Sequence, residues 1–517
     1  MGKALRPLWA LGLLAGMVMT SEVAQAQSVL RVGAMAGDLV TLDPHRATTS
    51  QDVGLVSWMF NGLVRFPPGS ANPDAIEPDL AERWETSADG RVWTFHIRKS
   101  VRFHGDWGEV TADDVVFSLK RAADPKSSSF AGDYAGIDSI TASDGSTVVI
   151  TLKEPDLKLL GLLSNYHGGN IVSRKAVEAL GEAFKTKPVG TGPFSFTDYQ
   201  PQRHVELAAN ARYFRGAPKI DRVVYRYINS DNTRELAFVS GELDLIDGKR
   251  EQIWVERMKK QPKAQVDIFA PGEFRTLHIN SRIKPLDDLR VRQAIAYAID
   301  VPQIIKFVGK DVTVPGRSVV PPGYLGEAKE SWTVSYNLAK AKALLAEAGY
   351  RDGFTVPVVV SNVSAQLPIM EVIQAQLQRV GIKLDMSVVD HATYHAQIRK
   401  DVSALVFYGA ARFPSADIWL NEFYHSRSTV GTPTAVANFS HCNAGDTDID
   451  AARIEADPAK RTALLHAAQE KIAAQVCAVP LFNLMQVWVR RPGLDLGYQL
   501  DGTLNLAPPI TEASTLK

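Results

Sequence analysis

Apolar positions along the chain switch between two periods, and the switches predict alternating strands and helices. Ser28–Ala34 (SVLRVGA) reads as a short strand, with a loop over Met35–Asp43 after it. Asp52–Phe66 places Val53, Val56, Met59, Phe60, Leu63 and Val64 at helical spacing, with Gly62 as an interior weakness. Pro67–Pro78 is a loop on its prolines, Gly69 and Asn72. Arg91–Arg98 (RVWTFHIR) alternates, with Trp93, Phe95 and Ile97 on one strand face, and Asp89-Gly90 ahead of it signals a hairpin turn. Thr111-Ala112-Asp113-Asp114 starts a helix: the Thr hydroxyl caps a free backbone N–H, and the acids suit the positive helix end. Val115, Val116, Leu119 and Ala122 form its inner face.

The C-terminal half repeats this grammar. Val291, Ala294, Ile295, Ala298 and Ile299 mark one helix face. Asn337 caps the next helix, whose inner face is Ala341, Leu344, Leu345 and Ala348, and Gly349 stands where a left-handed cap is needed. Thr355–Val360 is a strand, Pro368–Val380 a helix with Ile369, Ile373, Leu377 and Val380 inward, and Ile382–Val388 a second strand after Gly381. Strand, helix, strand implies a parallel pair. A second such unit runs through His391–Lys400 to the uncharged strand Ala404–Tyr408, which breaks at Gly409. Beyond the break stands a single Arg412 among small and aromatic residues. A strand that ends at a glycine and delivers one charge is how open α/β sheets place ligand contacts. The plain alternative is a solvated loop arginine.

The chain has 517 residues, too many for one core, and its formal net charge of +0 argues against nucleic acid or an acidic membrane surface as main partner. Lys3 and Arg6, the apolar run Leu8–Met19 and Ala24-Gln25-Ala26 read as a signal peptide cleaved after Ala26. No cysteine directly follows the apolar run, so a lipid anchor is not expected. Cys442 and Cys477 are the only cysteines, and an oxidising compartment permits them to form a disulfide; two buried free thiols are the alternative.

Catalytic patterns are missing from the sequence: it has no HExxH, GxSxG, Walker A loop or CxxC, so an enzyme is not expected. His391 and His395, one helical turn apart in HATYH, read as a solvated face rather than a metal site. Lys249–Lys260 reads as a solvated surface helix, and Trp93, Phe95, Phe103 and Trp107 as packing.

The stretch LAERWETSADGRVWTFHIRKSVRFH followed by TADDVVFSLKR closely resembles the peptide/nickel-type (family 5) solute-binding proteins of ABC importers. The resemblance continues in order through PVGTGPF (188–194), NARYFRGAPKID (210–221), GELD (241–244), DLRVRQAIAYAID (288–300) and AKAKALLAEAG (339–349). It implies an α/β, two-lobed periplasmic binding protein with an inserted α+β subdomain. After the signal peptide, residues 1–26, lobe I would take 27–275 with the subdomain at about 50–180. Lobe II would take 276–478, and 479–517 would return to lobe I. The chain would cross near Phe274–Asn280 and Val479–Asn483, forming a hinge that closes on ligand. The expected partners are a small-molecule ligand and an inner-membrane ABC permease with its ATPase subunits. No nucleic acid and no cofactor are expected, and the chain should be a monomer. Relatives that bind nickel or haem have no universal motif, so pattern alone does not exclude those ligands.

Two departures from the dipeptide binders bear on the ligand. Aligning their loop on Ser415-Ala416-Asp417 puts Arg412 where they carry an Asp for the peptide ammonium. Their carboxylate-binding arginine falls at Ser364, in the stretch Ser361–Pro368 (SNVSAQLP) with Asn362. An arginine repels an ammonium and suits a carboxylate or phosphate. The expected ligand is therefore a small, anionic solute held by Arg412, with Tyr408, Gly409, Ala410, Ala411 and Phe413 beside it. Phe274, Met35, Asp38, Asn483 and Gln486 would face them across the cleft. A short-peptide binder for the same kind of transporter, or a sensor partner of a chemoreceptor, are the alternatives.

Overall fold

The computed structural model of the chain describes residue 2 and residues 27–517, apart from 157–158, 165, 364, 432–436 and 456. The signal-peptide residues from Lys3 to Ala26, and Ser364, lie outside the described residues. No helix among the described residues is long and apolar enough to cross a membrane.

Two lobes share one nine-stranded mixed sheet. Its order from one edge is Leu405–Ala410, Gln265–Ile279, Ala478–Arg490, Leu245–Asp247, Val29–Ala34, Arg222–Tyr227, His204–Ala209 and Phe194–Gln200, with Thr313–Pro315 also on Ala478–Arg490. The two long antiparallel strands, Gln265–Ile279 and Ala478–Arg490, belong to both lobes. Phe269 and Trp488 enter the core of the first lobe, and Leu277, Ile279, Val479 and Leu481 that of the second. Between those ends their register slips at Phe269/Glu273 and again at Arg275/Thr276. Such irregularities bend a strand pair locally.

A separate antiparallel sheet in the N-terminal half is ordered Ala81–Thr86, Val92–Ile97, Thr147–Leu152, Ile137–Asp144, and the helix Ala112–Ala122 packs on it. Trp93, Phe95 and Ile97 are buried, as their alternation predicts. The helix opens on a complete capping box: Thr111 accepts from the Asp114 N–H, and the Asp114 carboxylate accepts from the Thr111 N–H. Thr111→Ala is expected to cost about 1 kcal/mol of stability in urea unfolding, with no change in the denaturant slope.

In the second lobe the helices Leu289–Ala298, Leu338–Glu347 and Leu367–Gln378 form where the helical period places them. Asn337 caps the second of these, and Gly349 and Gly381 adopt left-handed φ of 90° and 92°. Phe354–Ser361 and Ile382–Val389 pair in parallel. Cys442 and Cys477 are bonded to each other.

Four expectations need correction. The helix expected over Asp52–Phe66 covers only Ser50–Val56. Met59 and Trp58 instead offer their carbonyls to the N–H groups of Gly192 and Phe194, so long-range backbone pairing displaces the helix. The strand before Arg412 does not join a second parallel unit: Leu405–Ala410 takes its ladder from Gln265–Ile279, antiparallel, at the edge of the large sheet. It also runs through Gly409 to Ala410 instead of breaking there. Finally, the charged run Lys249–Lys260 does hold a helix, Gln252–Lys259, but Trp254, Val255 and Met258 on it are buried.

Candidate functional site

Side chains of the edge strand alternate between two environments. Tyr408 and Ala410 lie in the second lobe's aromatic core, with the Tyr408 ring against Phe439 at 5.1 Å and Phe423 at 6.0 Å. Gly409, between them, lies opposite Arg275. A Cβ at 409 would stand 2.4 Å from the Arg275 Nη1, so the glycine leaves the space that the arginine fills. Arg275 is buried and pairs with Glu273 at 2.6 Å, and Arg250 reaches the same carboxylate at 2.8 Å. Burial alone would raise the Glu273 carboxyl; the two guanidinium charges outweigh it and bring it down to about 2. This cluster carries two cations on one carboxylate beside the register slips of the long strand pair.

The chain past Ala410 is fixed by Tyr324. Its hydroxyl accepts from the Arg412 N–H at 3.0 Å and donates to the Arg412 carbonyl at 2.8 Å. The Arg412 side chain is engaged as well. Its Nε donates to both Glu422 oxygens, at 2.9 and 2.7 Å, and its Nη2 to Oε1 at 2.6 Å. Nη1 donates to the Ala411 carbonyl at 2.9 Å, and the guanidinium lies 5.5 Å from the Phe423 ring centre. Burial draws the guanidinium's proton affinity down, but Glu422 outweighs it, so Arg412 is held firmly charged. An arginine has five N–H donors. Among the described residues these bonds use three, leaving one N–H on each terminal nitrogen. Glu422 thus leaves the guanidinium two further N–H donors, as many as a carboxylate can take.

Arg412 borders a cavity of about 750 Å³ between the lobes. Phe413, Asn421 and Glu422 line it from the second lobe, and Asp133, Gly161, Tyr166 and His167 from the first. A smaller cavity of about 280 Å³ shares Tyr166, His167 and Arg412 and adds Thr48, Ser50, Ala411 and Asn505. The size suits a small solute. Tyr166 and His167 stack at 3.8 Å, and His167 also stacks on Phe130 at 5.0 Å and faces Asp133 at 3.1 Å. His167 holds a left-handed φ of 47°, which a non-glycine residue adopts at a cost. Burial keeps the Tyr166 phenol protonated, against the pull of the Arg412 charge. The Oδ1 of buried Asn505 has no hydrogen-bond partner among the described residues.

Of the residues singled out from the sequence, Ala411, Arg412 and Phe413 come together at these cavities. Tyr408, Ala410 and Phe274 are core residues, and Phe274 packs on Trp419. Asn483 and Gln486 are buried on the return strand, where Gln486 donates to the Pro271 carbonyl at 3.3 Å. Asp38 accepts from Tyr199, Gln202 and Leu39, and Met35 is exposed. Asn362 is exposed at the end of its strand, and Ser364 lies outside the described residues. Sequence reasoning missed Tyr166, His167, Asp133, Glu422 and Asn505. Glu422 alone carried a signal, as the one acid in the later turns of the helix Ala416–Phe423.

A family model described as bacterial extracellular solute-binding proteins, family 5, middle region, matches residues 75–431. The solved structure of the binding protein MoaA from A. tumefaciens R10, in complex with mannopinic acid, is 47% identical and has a TM-score of 0.83. That likeness covers 95% of this chain and 100% of the other. AgaA from the same source, in complex with agropinic acid, is 28% identical with a TM-score of 0.76, over 95% and 99% of the two chains. Heme-binding protein A of Haemophilus influenzae is 30% identical over 376 residues, 68% of each chain.

Proposed function

This chain belongs to the family 5 bacterial extracellular solute-binding proteins and is the substrate-binding component of an ABC importer, and we propose that its solute is an opine-type organic acid. The observation that carries the proposal is the 47% identity, over nearly the whole of both chains, to a protein solved with mannopinic acid. The 28% likeness to a protein solved with agropinic acid points the same way.

The cavity chemistry supports it. The two remaining N–H donors of Arg412 suit a carboxylate. Glu422 and Asp133, on the same cavity, suit an amine in the same molecule. Asn505 offers an acceptor to a hydroxyl or N–H. The protein acts by capture and delivery, without chemistry on the solute. It works as a monomer in the periplasm, after cleavage behind Ala26, and hands the solute to the permease.

Titration calorimetry with mannopinic acid, agropinic acid, a dipeptide and haem tests the assignment. Binding of one of the two acids at micromolar or better dissociation constants, roughly −8 kcal/mol or stronger, is expected, with dipeptide and haem silent. Silence from both acids together with binding of dipeptide or haem overturns it.

A further inference from the structure

We propose that Phe413 and Gly161 are a knob and slot that hold the two lobes shut over the ligand. Phe413 follows Arg412 directly on the second lobe. Gly161 lies in the short helix Leu159–Leu162 of the first lobe, whose Leu159 belongs to the N-terminal core. A Cβ built on Gly161 would stand 2.1 Å from the Phe413 Cε2 and 2.4 Å from its Cζ. The ring therefore occupies the volume that any side chain at 161 would need. The Phe66 ring, 6.0 Å away at its centre, flanks it from another segment of the first lobe.

The glycine is there for space. Gly161 is not among the glycines with left-handed backbone, so its conformation suits any residue. Inside a helix a glycine is less favourable than an alanine. Local stability thus argues for a side chain at 161, and the fit to Phe413 argues against one. An ion pair between the same lobes, Arg453 with Glu154 at 3.2 Å, joins two exposed side chains and contributes little.

The position next to Arg412 couples closure to capture. A carboxylate on the Arg412 guanidinium would sit in the cavity whose wall the seated knob forms beside it, with Gly161 in the same wall. Closure and binding then favour each other by the same factor.

A double-mutant cycle reads this coupling. The only native cysteines are bonded to each other, so Asp138→Cys and Lys342→Cys introduce the only thiols, on opposite lobes at exposed sites, for spin labels. The label-to-label distance distribution is measured with and without mannopinic acid, and affinity by calorimetry. Gly161→Ala is expected to deplete the short-distance population and to weaken mannopinic acid binding by about tenfold or more. It should leave the melting temperature unchanged or raised, since alanine suits the helix better. In a Phe413→Ala background, the same Gly161→Ala change is expected to cost less than about twofold. An equal cost in both backgrounds, or no cost in either, overturns the proposal. So does a wild-type protein with no short-distance population. Failure of wild-type protein to bind mannopinic acid removes the ligand assignment alone, because the distances still report the lock.

Discussion

Acidifying the protein from about pH 7.5 to about pH 5 is expected to remove roughly 6 kcal/mol of folding stability, through three histidines buried in the neutral form. Burial brings His278 down to about 3 from its ordinary 6.5; among the described residues its Nδ1 has no hydrogen-bond partner, and the Phe423, Tyr424 and Phe439 rings lie against it. Burial likewise brings His45 to about 4, with the charge of Arg121 adding to it. His45 donates from Nε2 to the Asn170 carbonyl and accepts Arg121 at Nδ1, a pattern only the neutral ring satisfies. His104, also at about 4 through burial, donates to Gly192 and accepts from Gly190. In each case the folded value lies below the unfolded one. The unfolded chain therefore binds more protons in this window, and stability is complete above 6.5 and lost as the pH falls from there toward 4. Each histidine contributes about 2 kcal/mol at pH 5. Glu273, brought to about 2 against its burial, extends the loss below the ordinary carboxyl range. The buried carboxyls of Asp79 and Asp52, raised mainly by burial, pull the other way at the acid end. Urea unfolding across the pH range measures the slope. His278→Met should flatten it by about one third, and a wild-type slope near zero between the two pH values contradicts the account.

What the sequence made legible divides along the range of the interactions involved. The helix Leu338–Glu347 was readable because everything that fixes it lies within its own length: the Asn337 cap, the 3.6-residue apolar face and the left-handed Gly349. The capping box at Thr111 was readable for the same reason. The helix expected through Phe66 failed because partners some 130 residues away decide it. Gly190 and Gly192 let their backbone approach Met59 so closely that a Cβ at either would meet Met59 backbone atoms within 3 Å. That preference is invisible in the periodicity of residues 52–66. The site divides the same way. Arg412 stood out as a lone charge after an apolar strand. Tyr166 and His167 did not, since their place beside Arg412 comes from the docking of two lobes. Phe274 and Tyr408 were expected at the ligand because they lie near the crossing. The pleat turns them into the aromatic core instead, which proximity in sequence does not decide.

Arg412→Ala is expected to weaken binding of the acid ligand by about 2–3 kcal/mol, a factor of roughly 30 to 150 in dissociation constant. Two effects act together. The two remaining N–H donors are lost, and Glu422, no longer neutralised, places an uncompensated carboxylate on the cavity wall. The structure also changes what the stability should do. A solvated loop arginine would be removed at no cost, but this one carries a part-buried partner, so the unliganded protein should lose about 1 kcal/mol as well. Arg412→Ala combined with Glu422→Gln separates the two effects: it removes the orphaned charge, restoring most of the stability, while the affinity for the acid stays low. Arg412→Lys keeps a charge but lacks the second planar edge, so one ammonium must choose between Glu422 and the ligand, and affinity should again fall. Arg412→Asp should abolish acid binding, with two carboxylates facing the solute. Calorimetry with the bound acid and thermal unfolding of the same four variants give both readouts. Wild-type affinity in Arg412→Ala would leave Arg412 as a clamp on Glu422 and move ligand recognition to Tyr166, His167 and Asn505.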